Sequence, residues 1–566
     1  MKEREFNLLD EKWVRVMAAD CTVREVSLVD ALVNAHEYTS LAGELPTQDM
    51  AMLRLLLAVL HTVFARFDEE GNDAPFECAD DALDRWEALW NGGRFPEKPI
   101  RKYLEAYRDR FYLFDPDRPF YQVNEAEGGT ENEAKKLNGC ISESNNKFRL
   151  FSSRCGEGKN ILTYPEAARW LVCLNGFDDI ALKEAQNTDD GSNTDEGSDT
   201  DKERNSLKVG WLGQLGSIYA LGDNLFQTLM LNLVLLNENR ELWGENKPVW
   251  ELVKPRTRQK CKIAVPDNQA ELLTLQSRRT LLQRDERGVI GYTVLGGDVF
   301  ESDKASAEQM TIWEYVKGKI GELPYYQPRE HNANKQIWRE FASIVPSDDK
   351  RGMPGVVRWQ ALLKEGEILE EERFARFSMV GVEYKGSQKS AVVDIFSDSL
   401  SFHIDLLTEV GRHWNIAIQS EIEIIDEVAK AVGQLGEQIE KACGKSESSK
   451  KDKKKDNNGL GNWMKEQFYY RIDIDFRLML EGIDPMDEDH ETREEWAWAW
   501  RKIEKGITDQ LTGDVIAQSD QNAIMGRTIA VRNSKGKEEK QRYSMAEAYS
   551  RFNYKIRNLL VKGDEQ

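Results

Sequence analysis

Two pairs of closely spaced carboxylates, Asp394 with Asp398 and Asp473 with Asp475, come nearest in this chain to the metal-binding site of a nuclease. Such a site needs a third acidic or histidine ligand, and no neighbouring residue supplies one by spacing. Carboxylates four apart equally suit capping and surface charge near a helix start. "VGWLGQLG" places glycines at 210, 213 and 216, which is not the GxGxxG spacing, and close backbone packing is the simpler use for them. GxxxxGK[ST] and GxSxG are absent. Cys21, Cys78, Cys140, Cys155, Cys173, Cys261 and Cys443 form no CxxC pair, and the six histidines are scattered. Reduced thiols in a cytoplasmic protein are therefore expected, with neither metal nor cofactor. What remains is a polar cluster. "VGVEYKGSQKSAVVDIFSDSL", residues 380–400, sets Tyr384, Lys385, Gly386, Ser387, Gln388, Lys389 and Ser390 between two apolar runs, as at a hairpin tip.

The elements that must carry this tip follow from length and periodicity. At 566 residues the chain exceeds the roughly 100 to 200 residues of one domain. Its 40% apolar and 31% charged residues are globular values, and its apolar runs are too short for a membrane span. The N-terminus, "MKEREFNLLDEKW", shows no apolar export signal. The expected fold is α+β: a large, irregular mixed domain over 1–400 followed by a four-helix bundle over 401–566. In the first, Thr47 is a plausible N-cap for a helix with Leu53, Leu56, Leu57, Leu60 and Phe64 on one stripe. Thr163 with Glu166, and Asn224 with Gln227, read as capping boxes. "KWVRVM", "TLLQRD" and "VIGYTVL" read as strands. In the second, Ile418, Ile422, Ile425, Val428, Val432, Leu435 and Ile439 step by three and four, and further helices are expected near 463–482 and 491–517. Ser544 with Glu547 opens a helix lining up Tyr549, Phe552, Ile556 and Leu559.

Net charge is −22, which on average repels phosphates. Part of that excess lies in an acidic insertion at about 184–204, and the opposite bias appears in a Lys-rich loop at about 443–461. Both compositions suit solvated segments.

Six blocks then bear on family. "FNLLDEKWVRV", "LAGELPTQDMAMLRLLLAVLH", "FYLFDPDRPFYQ", "LTYPEAARWLV", "GWLGQLGSIYALGDNLFQTLMLNLV" and "GVEYKGSQKSAVVDIFSDSL" recur in this order in CasA. The chain resembles this family, the large subunit of the type I-E CRISPR surveillance complex Cascade, from its N-terminus through the bundle. The resemblance implies a non-enzymatic DNA reader. Its partners would be target double-stranded DNA, the guide RNA-containing Cascade subunits and the CRISPR helicase-nuclease, without a membrane. Its task would be to inspect the protospacer-adjacent motif (PAM), start the duplex opening that guide pairing requires, and give the nuclease a landing site.

Carried over residue by residue, the resemblance implies that Gln388 is a wedge beside the PAM. Gly386 frees the tip backbone, Ser387 and Ser390 flank it, and Lys385 and Lys389 hold phosphates. A minor-groove loop would fall just before "KVGWLGQLG", where Asn205, Ser206 and Leu207 stand in place of the family's glycines, and Asn205, Ser206 and Lys208 are its candidate groove contacts. Gly297 and Asp298 occupy the place of its PAM-facing lysine, with Lys304 nearby. The loop "SNNKFRLFSSRCGEGKN", residues 144–160, matches the segment that docks the subunit onto the complex, through Lys147, Phe148, Arg149 and Arg154. A polar turn and a plain surface loop are the plainer readings of these two segments. From the residues alone, a metal-dependent nuclease using Asp394 and Asp398, or a scaffold without DNA contact, stands as the alternative.

Overall fold

The computed structural model describes residues 4–143, 152–179, 208–301, 305–318, 324–345, 352–369, 373–386, 389–444, 459–487, 489–519, 521–532 and 538–561. The chain divides into two compact units: Met1–Ile337 with Ser343–Glu371 and Ala375–Leu400, and Trp338–Ala342 with Glu372–Phe374 and Ser401–Gln566. The fold is the mixed α+β architecture with a C-terminal helical bundle that the sequence patterning implies. Among the described residues, no helix is long and apolar enough to cross a membrane.

The first unit is built around helix α1 (Pro46–Phe64), which is apolar on every face and buried from Thr47 to Phe64 except at Asp49. The expected Leu53 to Phe64 stripe is therefore one side of a core helix rather than the face of an amphipathic one. Thr47 is not the N-cap. Leu45 holds that position and Pro46 starts the helix two residues earlier than a Thr47 cap would, its fixed φ and missing N–H suiting the first turn. The approach to the helix is secured by side chains reaching back from its first turn. The Gly43 amide donates to the Asp49 carboxylate (2.6 Å), and the Glu44 amide donates to Gln48 Oε1 (3.1 Å).

Helix α2 (Tyr164–Phe177) packs on α1 and starts from the expected box: Glu166 N–H donates to Thr163 Oγ1, and Thr163 N–H to the Glu166 carboxylate. At Asn224 the cap also forms, but Gln227 reaches back to the Asp223 amide instead of closing a box on Asn224. The unit's sheets are small. Val14–Ala18 pairs antiparallel with Val23–Val26 and Tyr38–Leu41. Gly288–Gly296 pairs antiparallel with Thr130–Glu133 and Arg278–Asp285. A third sheet has the order β3 (Val392–His403), β2 (Phe374–Tyr384), β1 (Ser217–Ala220), with Val380 opposite Ser217. Asp394 and Asp398 lie inside β3, not near a helix start. The run "AVVDIFSDSLSFH" is β-branched and alternating, which favours a strand over the helix that the Asp spacing suggested.

One buried ion pair ties α1 to the rest of the unit. Arg54 donates to both oxygens of Glu308 (2.8 and 3.0 Å), and Glu308 also accepts the Trp211 indole N–H (2.7 Å) and the Met310 amide (3.1 Å). Both side chains are almost wholly buried. Their desolvation is offset by the bidentate pairing and by the two further donors on Glu308.

The second unit is a bundle of α3 (Arg412–Ala442), α4 (Leu460–Glu481), α5 (His490–Ala517) and α6 (Met545–Leu560). All seven residues of the Ile418 to Ile439 series face inward. On α6 the inner row is Met545, Ala548, Phe552, Ile556 and Leu560, so Leu560 takes the core place expected of Leu559 and Tyr549 is only half-buried. At the crossing of α3 and α4, a methyl on Gly436 would sit 2.7 Å from the Gly461 Cα, so the close approach needs glycine. Trp338, Phe476 and Trp500 form an aromatic column, with centroids 4.6 and 5.0 Å apart. On the opposite side of α4, Trp463, Tyr470, Ile474 and Leu478 are exposed along one helical row. Asp473 and Asp475 lie on α4, where Asp473 accepts the Trp338 indole N–H (2.7 Å) and pairs with Arg477. Glu504 on α5 is fully buried, and Arg501 beside it is committed to Glu421. Burial, with the Glu421 carboxylate nearby, pushes the Glu504 carboxyl up to about 8.

Two outcomes are expected. Glu308→Gln should cost about 3 kcal/mol in denaturant unfolding by leaving Arg54 buried and unpaired, whereas Arg54→Met with Glu308→Met should recover part of the loss; additive losses would contradict this pairing. For Glu504, the folded state keeps a proton that the unfolded chain releases at the ordinary 4.5. The bundle should therefore lose stability from this group as pH rises from about 4.5 to about 8. Glu504→Gln should raise the unfolding midpoint at pH 8, by on the order of 5 °C, and change it little at pH 4.5. A constant difference at both pH values would show that Glu504 does not titrate in this window.

Candidate nucleic-acid interface

The polar tip found in the sequence joins β2 to β3. The base is rigid for local reasons. Gly381 lets the Phe396 ring lie across β2, since a methyl there would meet the ring at 2.2 Å. Tyr384, the last residue of β2, is buried and donates its hydroxyl to the Phe177 carbonyl at the end of α2 (2.7 Å). Gly213 faces the same hydroxyl, where a methyl would come within 2.2 Å. The glycines of "GWLGQLG" are thus close-packing positions: Gly210 abuts the Gly176 carbonyl and Gly216 the Arg329 carbonyl in the same way.

Beyond Tyr384, the Lys385 amide donates to Ala391 O (2.8 Å), the Lys389 amide to Gly386 O (3.1 Å) and the Ser390 amide to Lys385 O (3.4 Å). Gly386 (φ +65°) and Lys389 (φ +46°) are both in the left-handed region, which strains Lys389. The Lys389 ammonium pairs with the Glu330 carboxylate and lies 5.7 Å from the centre of the Tyr384 ring. Lys385, Gly386 and Ser390 are exposed. Ser387 and Gln388 lie outside the described residues.

The second expected element behaves differently. Asn205, Ser206 and the whole acidic insertion lie outside the described residues, which resume on either side at Asp179 and Lys208. Arg278, 1% exposed in strand Arg278–Asp285, holds them together. Its Nε donates to the Asp178 carboxylate (2.7 Å) and its Nη1 to Ser277 O (2.8 Å). Its Nη2 donates to the carbonyls of Asp178 (3.0 Å), Asp179 (2.9 Å) and Lys208 (3.0 Å). Lys208 exposes its side chain while its carbonyl is engaged. In the docking segment, Lys147, Phe148 and Arg149 lie outside the described residues. Arg154 pairs with the cap residue Glu166 and donates to Ile161 O (3.0 Å).

Asp298, expected from the resemblance at the place of a PAM-facing lysine, is buried against Arg279 and Arg256, and Lys304 is outside the described residues. Asp394 caps the following amide, and Asp398 accepts the amides of Ile337 (2.9 Å) and Ser399 (2.7 Å). Among the described residues, no three His, Cys, Asp or Glu side chains converge as a metal site. Three residues of the interface escaped the sequence reading: Arg278, Asp178 and Glu330. The paired arginines of "QSRRTLLQ", set within a strand, were the available sign of a buried charge.

The family model of CRISPR-associated protein Cse1 matches residues 7–505. A CRISPR-associated protein CasA/Cse1 of Thermus thermophilus is 27% identical over 445 residues, 77% of this chain and 78% of that relative. The crystal structure of Thermobifida fusca Cse1 superposes with a TM-score of 0.77 at 25% identity, covering 99% of both chains. A chain from a CRISPR RNA-guided surveillance complex shares the fold at a TM-score of 0.61 and 17% identity, over 90% of this chain and 99% of that one. The chain therefore belongs to the Cse1 family of CRISPR-associated proteins.

Proposed function

We propose that this protein is the subunit of an RNA-guided surveillance complex that reads the PAM in double-stranded DNA, starts opening of the adjacent duplex and receives the helicase-nuclease. It performs no bond chemistry itself. The observation that carries this reading is the hairpin tip: a short polar element with two lysines, raised on a base that Tyr384 and Gly381 make rigid. A guide can test sequence only in an opened duplex, so a protein group must first separate a base pair. Separation costs a few kcal/mol of stacking, which contacts beside the wedge offset.

Gln388 is the proposed wedge, hydrogen-bonding with both ends of its amide. Lys385 and Lys389 are the proposed phosphate contacts, with Ser387, Gly386 and Ser390 shaping the tip. Asn205, Ser206 and Lys208 are the proposed minor-groove contacts, and Lys147, Phe148, Arg149 and Arg154 the proposed docking residues. The exposed row of Trp463, Tyr470, Ile474 and Leu478 suits contact with another subunit of that complex.

Lys389 is held by Glu330 and must exchange that carboxylate for a phosphate. Glu330→Gln should tighten duplex binding about threefold at constant salt, as expected for release from one exposed ion pair. Lys389→Ala should weaken it and reduce the salt slope by about one. Unchanged binding in both variants would remove Lys389 from the interface. The wedge is tested by following a fluorescent base beside the PAM in stopped flow. Gln388→Ala should slow opening of a fully paired target yet behave as wild type on a target already mismatched there. Equal rates on paired DNA would leave the tip an ordinary turn.

A further inference from the structure

We infer that Arg278 and Tyr384 are positioning residues that hold the hairpin base and the chain ends at Asp179 and Lys208 as one buried junction, a step that rests on the duplex-opening reading above. The consecutive residues Phe177, Asp178 and Asp179 are shared between the two. Phe177 O accepts the Tyr384 hydroxyl, and the next two carbonyls accept Arg278. The same guanidinium takes Lys208 O, and two residues further on Gly210 N–H returns to Asp178 O (2.9 Å). Gly213 then closes against the Tyr384 hydroxyl with no room for a methyl. The path Tyr384, Phe177, Asp178, Arg278, Lys208, Gly210, Gly213 is thus a ring closed by contacts and by short runs of chain.

Two physical features make the ring stiff. A guanidinium presents its donors in a rigid plane, so its acceptors cannot shift independently; a lysine ammonium imposes no such plane. A packed interior also passes a displacement on instead of absorbing it. The hairpin base cannot tilt unless the Phe177 peptide moves, and that peptide is continuous with the acceptors of Arg278. The hairpin base and the chain ends at Asp179 and Lys208 are therefore set at a fixed spacing from one point, which specificity for a motif beside the opening site requires.

The test uses the full chain with Arg278→Lys and Tyr384→Phe, singly and together. In hydrogen exchange of the free protein, each single substitution should speed exchange in both peptides, 208–216 and 381–392. Exchange confined to the substituted element would overturn the junction, whatever the protein does to DNA. In the complex assembled with guide RNA, each single variant should lose about tenfold in discrimination between duplexes with the preferred and a scrambled flanking motif, at unchanged salt slope. The double variant should be no worse than the poorer single one, because both break one ring. Additive losses, or intact discrimination despite coupled exchange, would overturn the positioning role. Tyr384→Phe is isosteric and carries the test if Arg278→Lys fails to fold. Failure of the duplex-opening reading would appear separately, as normal opening by Gln388→Ala.

Discussion

A single buried guanidinium organises the part of this molecule that faces outward. Arg278 is surrounded by one carboxylate and four carbonyls, and four of its five bonds go to two distant stretches, Asp178–Asp179 and Lys208. Burying such a charge is unfavourable unless its donors are satisfied together, so the surrounding backbone is held by the requirement to satisfy them. The glycines at 210, 213 and 216 add close packing to the same region. Gly210 and Gly216 lie against the backbone carbonyls of Gly176 and Arg329, and Gly213 against the Tyr384 hydroxyl, each closer than any side chain permits. Arg54 with Glu308 does comparable work one layer deeper, fixing Trp211 of that segment against α1.

The acidic balance of the chain and its proposed partner are compatible once charge is viewed locally. A net charge of −22 lowers the average affinity for phosphate, which disfavours binding by surface charge alone. On the proposed reading a few specific cations are the productive contacts, and one of these at the hairpin, Lys389, is neutralised by Glu330. Such an arrangement suits a reader that must leave most duplexes quickly, because tight unspecific binding would slow the search.

Much of the fold was legible in the sequence. The heptad-like series on α3, the box at Thr163 and the hairpin strands around the polar tip all depend on local pattern, and all are present. The misreadings have a common cause. Thr47 as cap, Leu559 as core and the Asp394 pair as helix-start charges were judged by local propensity, whereas Pro46, the packing of α6 and the third sheet decide those positions. At the candidate interface the sequence pointed to the tip but not to its support. Tertiary partners far apart in the chain, such as Arg278 with Asp178 or Lys389 with Glu330, leave no periodic trace. Only an arginine pair inside a strand pattern hinted at them.

The central proposal is that the β2–β3 tip meets duplex DNA at the point where opening begins. The most direct test places a photoreactive side chain at the exposed Lys385, assembles the complex with guide RNA and neighbouring subunits, and maps cross-links on a duplex target. Cross-links concentrated at the base steps next to the PAM, and lost when that motif is scrambled, are the expected result. Cross-links spread evenly along the duplex, or absent from those steps while the complex still binds its target, would contradict it.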